Sequence, residues 1–421
     1  MQPTLSVLAP RETGRAPWRE RIERELRGNI LPFWIAHTVD PAGGFYGSLT
    51  GDRRVRDDVP RSAVLCARVL WTYSSAYCAY GGPELLAMAR HAYRALLRSF
   101  WDQRYGGVYW TVDARGLPAN DRKHSYAQAF AIYGLSEFYR ATGEAESLQL
   151  AHELLALLDR HAHDERYGGY LECRSREWLP LPDMRLSSKE PNSRKSMNTL
   201  LHLLEAFANL LRAEQSAGEG GASDEDTFVA LRSPAAARLH ELAEAFLDHV
   251  IDPQTGHTRL FFDDRWSSLQ EGWSYGHDIE TSWLLVDAAE ALGDPVLLAR
   301  SRAAAVRTAQ AVHDRALAPD GALDYEGTRA RVTSAERHWW AHAEALVGFY
   351  NAYQISGQSH FATASRLVWR YIEEHFVDHS HGDWFRVLDP QGAPLRDCFK
   401  VGPWECPYHH SRACLELLRR L

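Results

Sequence analysis

Six times along the chain an amphipathic segment runs into an aspartate, and a glycine-bearing turn with aromatic or β-branched residues follows. The stretches are HTVDPAGGFYG at Asp40, FWDQRYGGVYW at Asp102, HAHDERYGGYLE at Asp164, HVIDPQTGHTRLF at Asp252, AVHDRALAPDGALDYE at Asp314 and HFVDHSHGDWFRV at Asp378. Successive intervals are 62, 62, 88, 62 and 64 residues, so one structural unit is repeated. Each interval holds two helical patterns joined by a short link, at 60–80 with 83–101, 124–141 with 144–161, 276–291 with 294–313, and 338–355 with 359–376. A further pattern at 18–36 finds its partner at 410–421. Six helical hairpins whose ends meet predict an all-α fold, an (α/α)6 barrel closed as a toroid, with short β-hairpins in the loops at the active-site end.

Length alone would allow two or three domains, but a closing repeat predicts a single catalytic domain over 1–421. The long interval carries its surplus at 212–233, RAEQSAGEGGASDEDTFVALRS, rich in Gly, Ser and acids, which reads as a surface insertion. A formal charge of −8 leaves no basic footprint for nucleic acid. No apolar run reaches membrane-spanning length, and the first residues lack the charged start and apolar run of a secretory signal, so a cytoplasmic protein without membrane contact is expected. The six cysteines show no C-x-x-C pair and read as reduced thiols. A closed toroid has no obligatory partner, and a monomer is expected. Fourteen tryptophans and eighteen tyrosines supply aromatic platforms of the kind sugar rings rest on.

The first helix of every pair starts at the same end of the toroid, so its first turns face one mouth. Unusual residues stand there: Arg68 in SAVLCARVLWTYS, Tyr126 in KHSYAQAFAIY, His202 in KSMNTLLHLLEAF, His277 and Glu280 in GWSYGHDIETSW, Trp339 and Trp340 in RHWWAHAEALVGF, and His409 with His410 in GPWECPYHHSRACLE. A helix N-terminus tends to lower a histidine's pKa, which suits a base working near neutral pH. His277 and Glu280, three apart, share a helix face, so the carboxylate is positioned to hold one imidazole tautomer. His-x-x-Glu is also half a metal site, but no second ligand spacing accompanies it, and neither metal nor other cofactor is expected. G-x-G-x-x-G, P-loop, G-x-S-x-G and H-E-x-x-H patterns are missing.

Two histidines in an aromatic ring suit proton transfer at a carbon beside a carbonyl, with a cation such as Arg68 stabilising the enolate oxygen. A glycosidase would draw on a carboxyl pair among Asp278, Glu280 and Glu344 and would leave the histidines unused. A non-catalytic sugar-binding toroid also stays open.

The blocks SYGHDIETSWLLVDAAEALG, WWAHAEALVGFYNAY and GPWECPYHHSRACLELL, with ARVLWTYSSAY and MNTLLHLLEAF, resemble the N-acylglucosamine 2-epimerase superfamily, in its cellobiose 2-epimerase branch, from about residue 18 onward. The resemblance implies an (α/α)6 barrel that epimerises C2 of a reducing-end glucose or mannose unit without metal or nucleotide. It makes His277 and His409 the acid–base pair working through a cis-enediolate. His202 and Arg68 assist ring opening and hold O1 and O2, and Glu280 orients His277. Trp340 and Trp404 stack on the sugar, Tyr126, Glu190, Asn198 and Trp339 line the binding site, and His410 supports the helix start. Where the family usually has histidine this chain has Leu200, which would remove a polar group near the mouth; Ala341 and His342 replace Pro-Gln, and Glu405 and His410 replace Lys and Asn. These departures keep free mannose, and an aldose–ketose isomerisation with the same bases, as alternatives to a disaccharide.

Overall fold

The turn at Asp102 shows what the repeat encodes. Its Oδ1 accepts the backbone N–H groups of Arg104 and Tyr105, while Gly106 N–H donates to the Asp102 carbonyl at 2.8 Å. Gly106 and Gly107 both take left-handed φ (69° and 73°), and a Cβ on Gly107 would lie 2.7 Å from the Trp178 ring. The other oxygen, Oδ2, receives the Lys123 ammonium at 3.0 Å; both side chains are fully buried, with the ammonium 4.6 Å from the Tyr109 ring centre. Lys123 lies two residues ahead of the next helix, so the turn closing one unit also anchors the start of the next. The arrangement recurs as Asp164 with Lys195 (2.8 Å), Asp378 with Lys400 (2.5 Å) and Asp40 with Arg61; at Asp252 the cation is Arg259 of the same hairpin (3.1 Å).

The fifth unit departs from this scheme. Asp314 is not its turn residue: the helix Pro295–Ala316 runs through it, and the chain turns instead at Asp320, whose Oδ1 accepts Ala322 N–H. Arg337, two residues before the next helix, is anchored by Asp324.

The structure is a computed structural model describing residues 15–56, 58–218, 233–395 and 397–421. Six helices form the inner ring: Ala63–Tyr80, Ser125–Thr142, Met197–Gly218, Tyr275–Leu292, Trp339–Ser356 and Tyr408–Arg420. Each packs against the next, and the helix Tyr408–Arg420 returns to Ala63–Tyr80, which closes the ring. Each also packs against one outer helix: Pro83–Ala95, Ala145–His161, Pro234–Ala245, Pro295–Ala316, Ser359–Tyr371 and, for the closing pair, Arg15–Glu25. Inner helices are buried nearly all round, as at Ala63–Ala76, whereas outer ones bury one stripe. Local signals set the boundaries. Left-handed Gly143, Gly293 and Gly357 end three inner helices, and Pro83, Pro234 and Pro295 open three outer ones.

Short strands rim the mouth. The residues just before an inner helix pair with the unit that follows: 61–62 with 111–112, 123–124 with 173–174, 195–196 with 261–262, 273–274 with 326–327, and 337–338 with 387–388. A bridge between Leu49 and Val401 completes the circle. The (α/α)6 barrel expected from the repeat is therefore the fold, with its hairpins at the mouth. Of the expected insertion, 212–218 is still helix and Ser233 caps the next one through Ala236 N–H; 219–232 lies outside the described residues. No helix among the described residues is long and apolar enough to cross a membrane.

Lys400 tests the anchor. It is 2.5 Å from Asp378 and 2.7 Å from the Gly382 carbonyl, with both charged side chains almost wholly buried. Lys400→Met strands a buried carboxylate and is expected to cost about 3–5 kcal/mol in urea unfolding, whereas Arg115→Met, at an exposed pair, shifts stability by less than about 1 kcal/mol.

Candidate active site

Two layers of side chains project into the mouth from the first turns of the inner helices. The upper layer contains Tyr126, Asn198, His277, Trp340 and His409, at second or third helical positions; the deeper one contains Arg68, Phe130, His202, Glu280 and Glu344, each at the sixth. Trp340 stands between the two histidines of the upper layer, its ring centre 4.7 Å from that of His277 and 5.5 Å from that of His409. Gly276 allows this, since a Cβ there would come 2.5 Å from the Trp340 ring.

Both imidazoles are tethered through Nδ1, which leaves Nε2 for the mouth. His409 Nδ1 is 2.7 Å from Glu344 Oε1, and His277 Nδ1 is 2.9 Å from Ser274 Oγ. His202 is held likewise, Nδ1 to Glu205 at 3.1 Å. Beneath them lies Arg412, almost fully buried, which donates to Glu280 at 2.5 Å and Glu344 at 2.7 Å and also pairs with Glu205. Tyr408 donates to Glu205, and Trp283 Nε1 donates to Glu344 Oε2 at 2.9 Å. Donor atoms of Glu280, Glu344 and His409 fall within 4.8 Å of one another, a grouping a cation would suit, but the Arg412 guanidinium already bridges the two carboxylates.

Arg68 differs from Arg412. It is 2% exposed, yet among the described residues no carboxylate pairs with it; it donates to the Tyr126 hydroxyl at 2.8 Å, lies 4.1 Å from the Phe130 ring centre, and leaves Nε without a partner. A buried cation without a counter-charge is a site prepared for an anion. Beside it Tyr126 meets Trp404 at 5.5 Å, and Trp404 meets Trp110 at 5.7 Å.

The N-acylglucosamine 2-epimerase family model matches residues 44–413. A cellobiose 2-epimerase of Bacteroides fragilis is 41% identical over 403 residues, covering 95% of this chain and 98% of that protein. The cellobiose 2-epimerase of Ruminococcus albus is 37% identical over 400 residues, with the same coverage. The solved structure of cellobiose 2-epimerase from Bacillus thermoamylovorans superposes with a TM-score of 0.87 at 34% identity, covering 96% of this chain and 100% of that one.

The chain belongs to the N-acylglucosamine 2-epimerase family.

It lies in the cellobiose 2-epimerase branch of that family, and the structure corrects several expectations drawn from that resemblance. Glu280 does not orient His277, because its carboxylate turns to Arg412 and comes within 3.8 Å of His409; Ser274 holds His277 instead. His410, in the first turn of its helix, holds that turn in place through Nε2, which reaches Asp383 at 2.8 Å and ties it to the sixth aspartate turn. Leu200 does not face the mouth. It is fully buried at the fourth helical position, where Gln128, Asp278 and His342 all reach outward to Val108, Thr258 and Leu323 of the outer loops. Trp339 is buried under the Arg386 guanidinium (5.1 Å) with its ring 6.4 Å from that of His409. Asn198 aims a buried, unpartnered Oδ1 from the upper layer, and the Glu190 carboxylate is engaged by backbone of Leu186 and Ser187 in its own loop. Sequence reasoning missed Ser274, Glu205, Arg412 and Trp110; of these, only Trp110, three residues after the Gly106-Gly107 turn, carried a local signal.

Electrostatics follow from the enclosure. Burial pushes the pKa of His277 down to about 3 and of His202 to about 4, and holds that of His409 well below its ordinary value. Burial would raise Glu205, but the Arg412 charge and His202 bring it to about 2. Burial raises Glu280, with the Glu344 charge adding to it. The folded chain therefore keeps a Glu280 proton above the carboxyl's ordinary 4.5 that the unfolded chain has released, so this group's contribution to stability falls as the pH rises. Urea midpoints of the parent protein between about pH 5 and 8 are expected to decline more steeply than those of Glu280→Gln.

Proposed function

We propose that this chain is a sugar 2-epimerase of the cellobiose 2-epimerase type, interconverting glucose and mannose configuration at C2 of a reducing-end unit. The observation that carries the reading is the site's asymmetry of charge. Two imidazoles on either side of Trp340 direct Nε2 into a space whose nearby buried cation, Arg68, has no carboxylate partner among the described residues. That is what a deprotonation–reprotonation through an enediolate requires.

In this reading the open-chain sugar lies against Trp340 with its O1 and O2 toward Arg68 and His202. One histidine removes the proton at C2, and the electron pair of the C–H bond passes into the enediolate. Arg68 and the donors beside it stabilise the oxygen charge in a site of low dielectric. After rotation about the C2–C3 bond presents the opposite face, the other histidine returns a proton to C2. The Trp404–Trp110 pair extends the aromatic surface beyond the catalytic centre, which supports a disaccharide over a free hexose.

Proton NMR of cellobiose and, separately, D-mannose incubated with the protein in D2O tests the reading. New anomeric signals of the C2 epimer with deuterium at C2 are expected; no epimer and no exchange from either sugar would overturn it. His277→Asn and His409→Asn are each expected to lower kcat by about 100-fold or more while leaving sugar affinity within a few-fold. Arg68→Met should lose a similar factor in kcat, since the guanidinium meets neutral oxygens in the ground state and a negative one only in the intermediate.

A further inference from the structure

Three of the six inner helices start from a serine at the N-cap, and two of these serines do what an N-cap serine ordinarily does. Ser62 Oγ accepts from Val64 and Leu65 N–H, and Ser196 Oγ accepts Thr199 N–H at 3.1 Å. Ser274 is the exception. It has extended backbone (φ −110°, ψ 114°), is 4% exposed and sits opposite Glu326 in the rim strands, yet its hydroxyl caps nothing. It is spent on His277 Nδ1 instead. A helix that forgoes its own cap at the mouth of the barrel breaks a local rule where function supplies the reason.

The partners of the three site histidines sharpen the point. His202 and His409 are backed by the carboxylates of Glu205 and Glu344, whereas His277 alone is backed by a neutral oxygen. Against His277 lies Trp340 from the fifth inner helix, His202 from the third acts on it electrostatically, and Glu280 on its own helix is occupied by Arg412; His409, from the sixth, meets Trp340 at 5.5 Å. On the other side of Trp340, the carboxylates of Glu205, Glu280 and Glu344 share the one guanidinium of Arg412, so negative charge is in excess there and a proton is retained among them and His409.

We infer that Ser274 is a positioning residue that presets the resting enzyme: it accepts the Nδ1–H of a neutral His277, so that the lone pair of Nε2 faces the sugar, while the Glu280–Glu344–His409 cluster holds the exchangeable proton on the opposite face. This rests on the epimerase reading. The proton balance closes: C2–H breaks with its electron pair left in the enediolate and its proton on His277 Nε2, and a new C2–H forms with a proton from His409 Nε2. His277, mostly buried but reached from the mouth, returns its proton to solvent, and a proton from solvent reloads the His409 cluster, so none is consumed overall. A carboxylate at 274 would stabilise the imidazolium and spoil the preset; a hydroxyl orients the ring without doing so.

Four variants of the full chain test this. Ser274→Ala is expected to lower kcat about 10–100-fold with KM within about twofold and an unchanged melting temperature, because no cap is lost; Ser274→Thr restores most of kcat. Ser274→Asp, which keeps a cap-competent side chain, is expected to move the acid limb of kcat/KM up by about one pH unit or more. Ser62→Ala, the capping control, lowers the melting temperature and leaves kcat intact. Imidazole nitrogen NMR of histidine-labelled protein needs no substrate: His277 of the parent should show one tautomer, protonated at Nδ1, and Ser274→Ala a mixture. Parent-like kcat in Ser274→Ala, a parent-like pH profile in Ser274→Asp, or the same single tautomer in Ser274→Ala would each overturn the inference. An inert parent would instead overturn the epimerase reading, and the tautomer measurement would still decide the role of Ser274.

Discussion

One guanidinium organises the centre of this barrel. Arg412 gathers Glu205, Glu280 and Glu344 from three inner helices onto a fourth, at a depth where uncompensated carboxylates would be too costly to fold. Because Glu205 also holds His202 and Tyr408, and Glu344 also holds His409 and Trp283, the orientation of His202 and His409 is set by the charge balance beneath them. The same residue is a partition. Its far side, with Glu205 and Trp283, forms part of the wall of a cavity of about 250 Å³ at the opposite end of the inner helices, lined also by Trp71, Tyr133 and Asn209. A layer of ion pairs thus separates that cavity from the end where the helices begin, which carries His202, His277 and His409.

The barrel itself was legible because its signal is local. An aspartate that holds its own turn with one oxygen and the cation ahead of the next inner helix with the other recurs in four of the six units, at Asp40, Asp102, Asp164 and Asp378, and its spacing counts the hairpins. Asp314 misled for the same reason: it has the right interval, but a helix continuing to Ala316 moved the turn to Asp320. The site was less legible. That His277 and Glu280 share a helix face is true, yet it does not pair them, because Arg412, 132 residues away, binds Glu280 more strongly than a neutral imidazole does. Leu200 looked like a change at the mouth because its neighbours in sequence are, but the fourth helical position points away from the axis. Contacts made between distant segments leave no pattern in a single stretch, and Ser274, Glu205 and Arg412 are residues of that kind.

The two imidazoles also show how one scaffold makes similar residues unlike. His277 and His409 occupy nearly equivalent positions on related helices, with the same free nitrogen and the same indole between them. A hydroxyl behind one and a carboxylate behind the other give them different affinities for a proton, so a pseudo-symmetric ring presents an asymmetric pair of faces to its substrate.

The ring closes through its most distant segments: Leu49 pairs with Val401, Arg19 donates to the Leu418 carbonyl, and the helix Tyr408–Arg420 supplies both His409 and Arg412. This has a consequence for biosynthesis. Hairpins can dock on one another as they leave the ribosome, but among the described residues the guanidinium that Glu205, Glu280 and Glu344 share comes from residue 412, so the buried charge at the barrel's centre is compensated last. The segment that seals the toroid is therefore also the one that delivers His409 and the guanidinium the three carboxylates share.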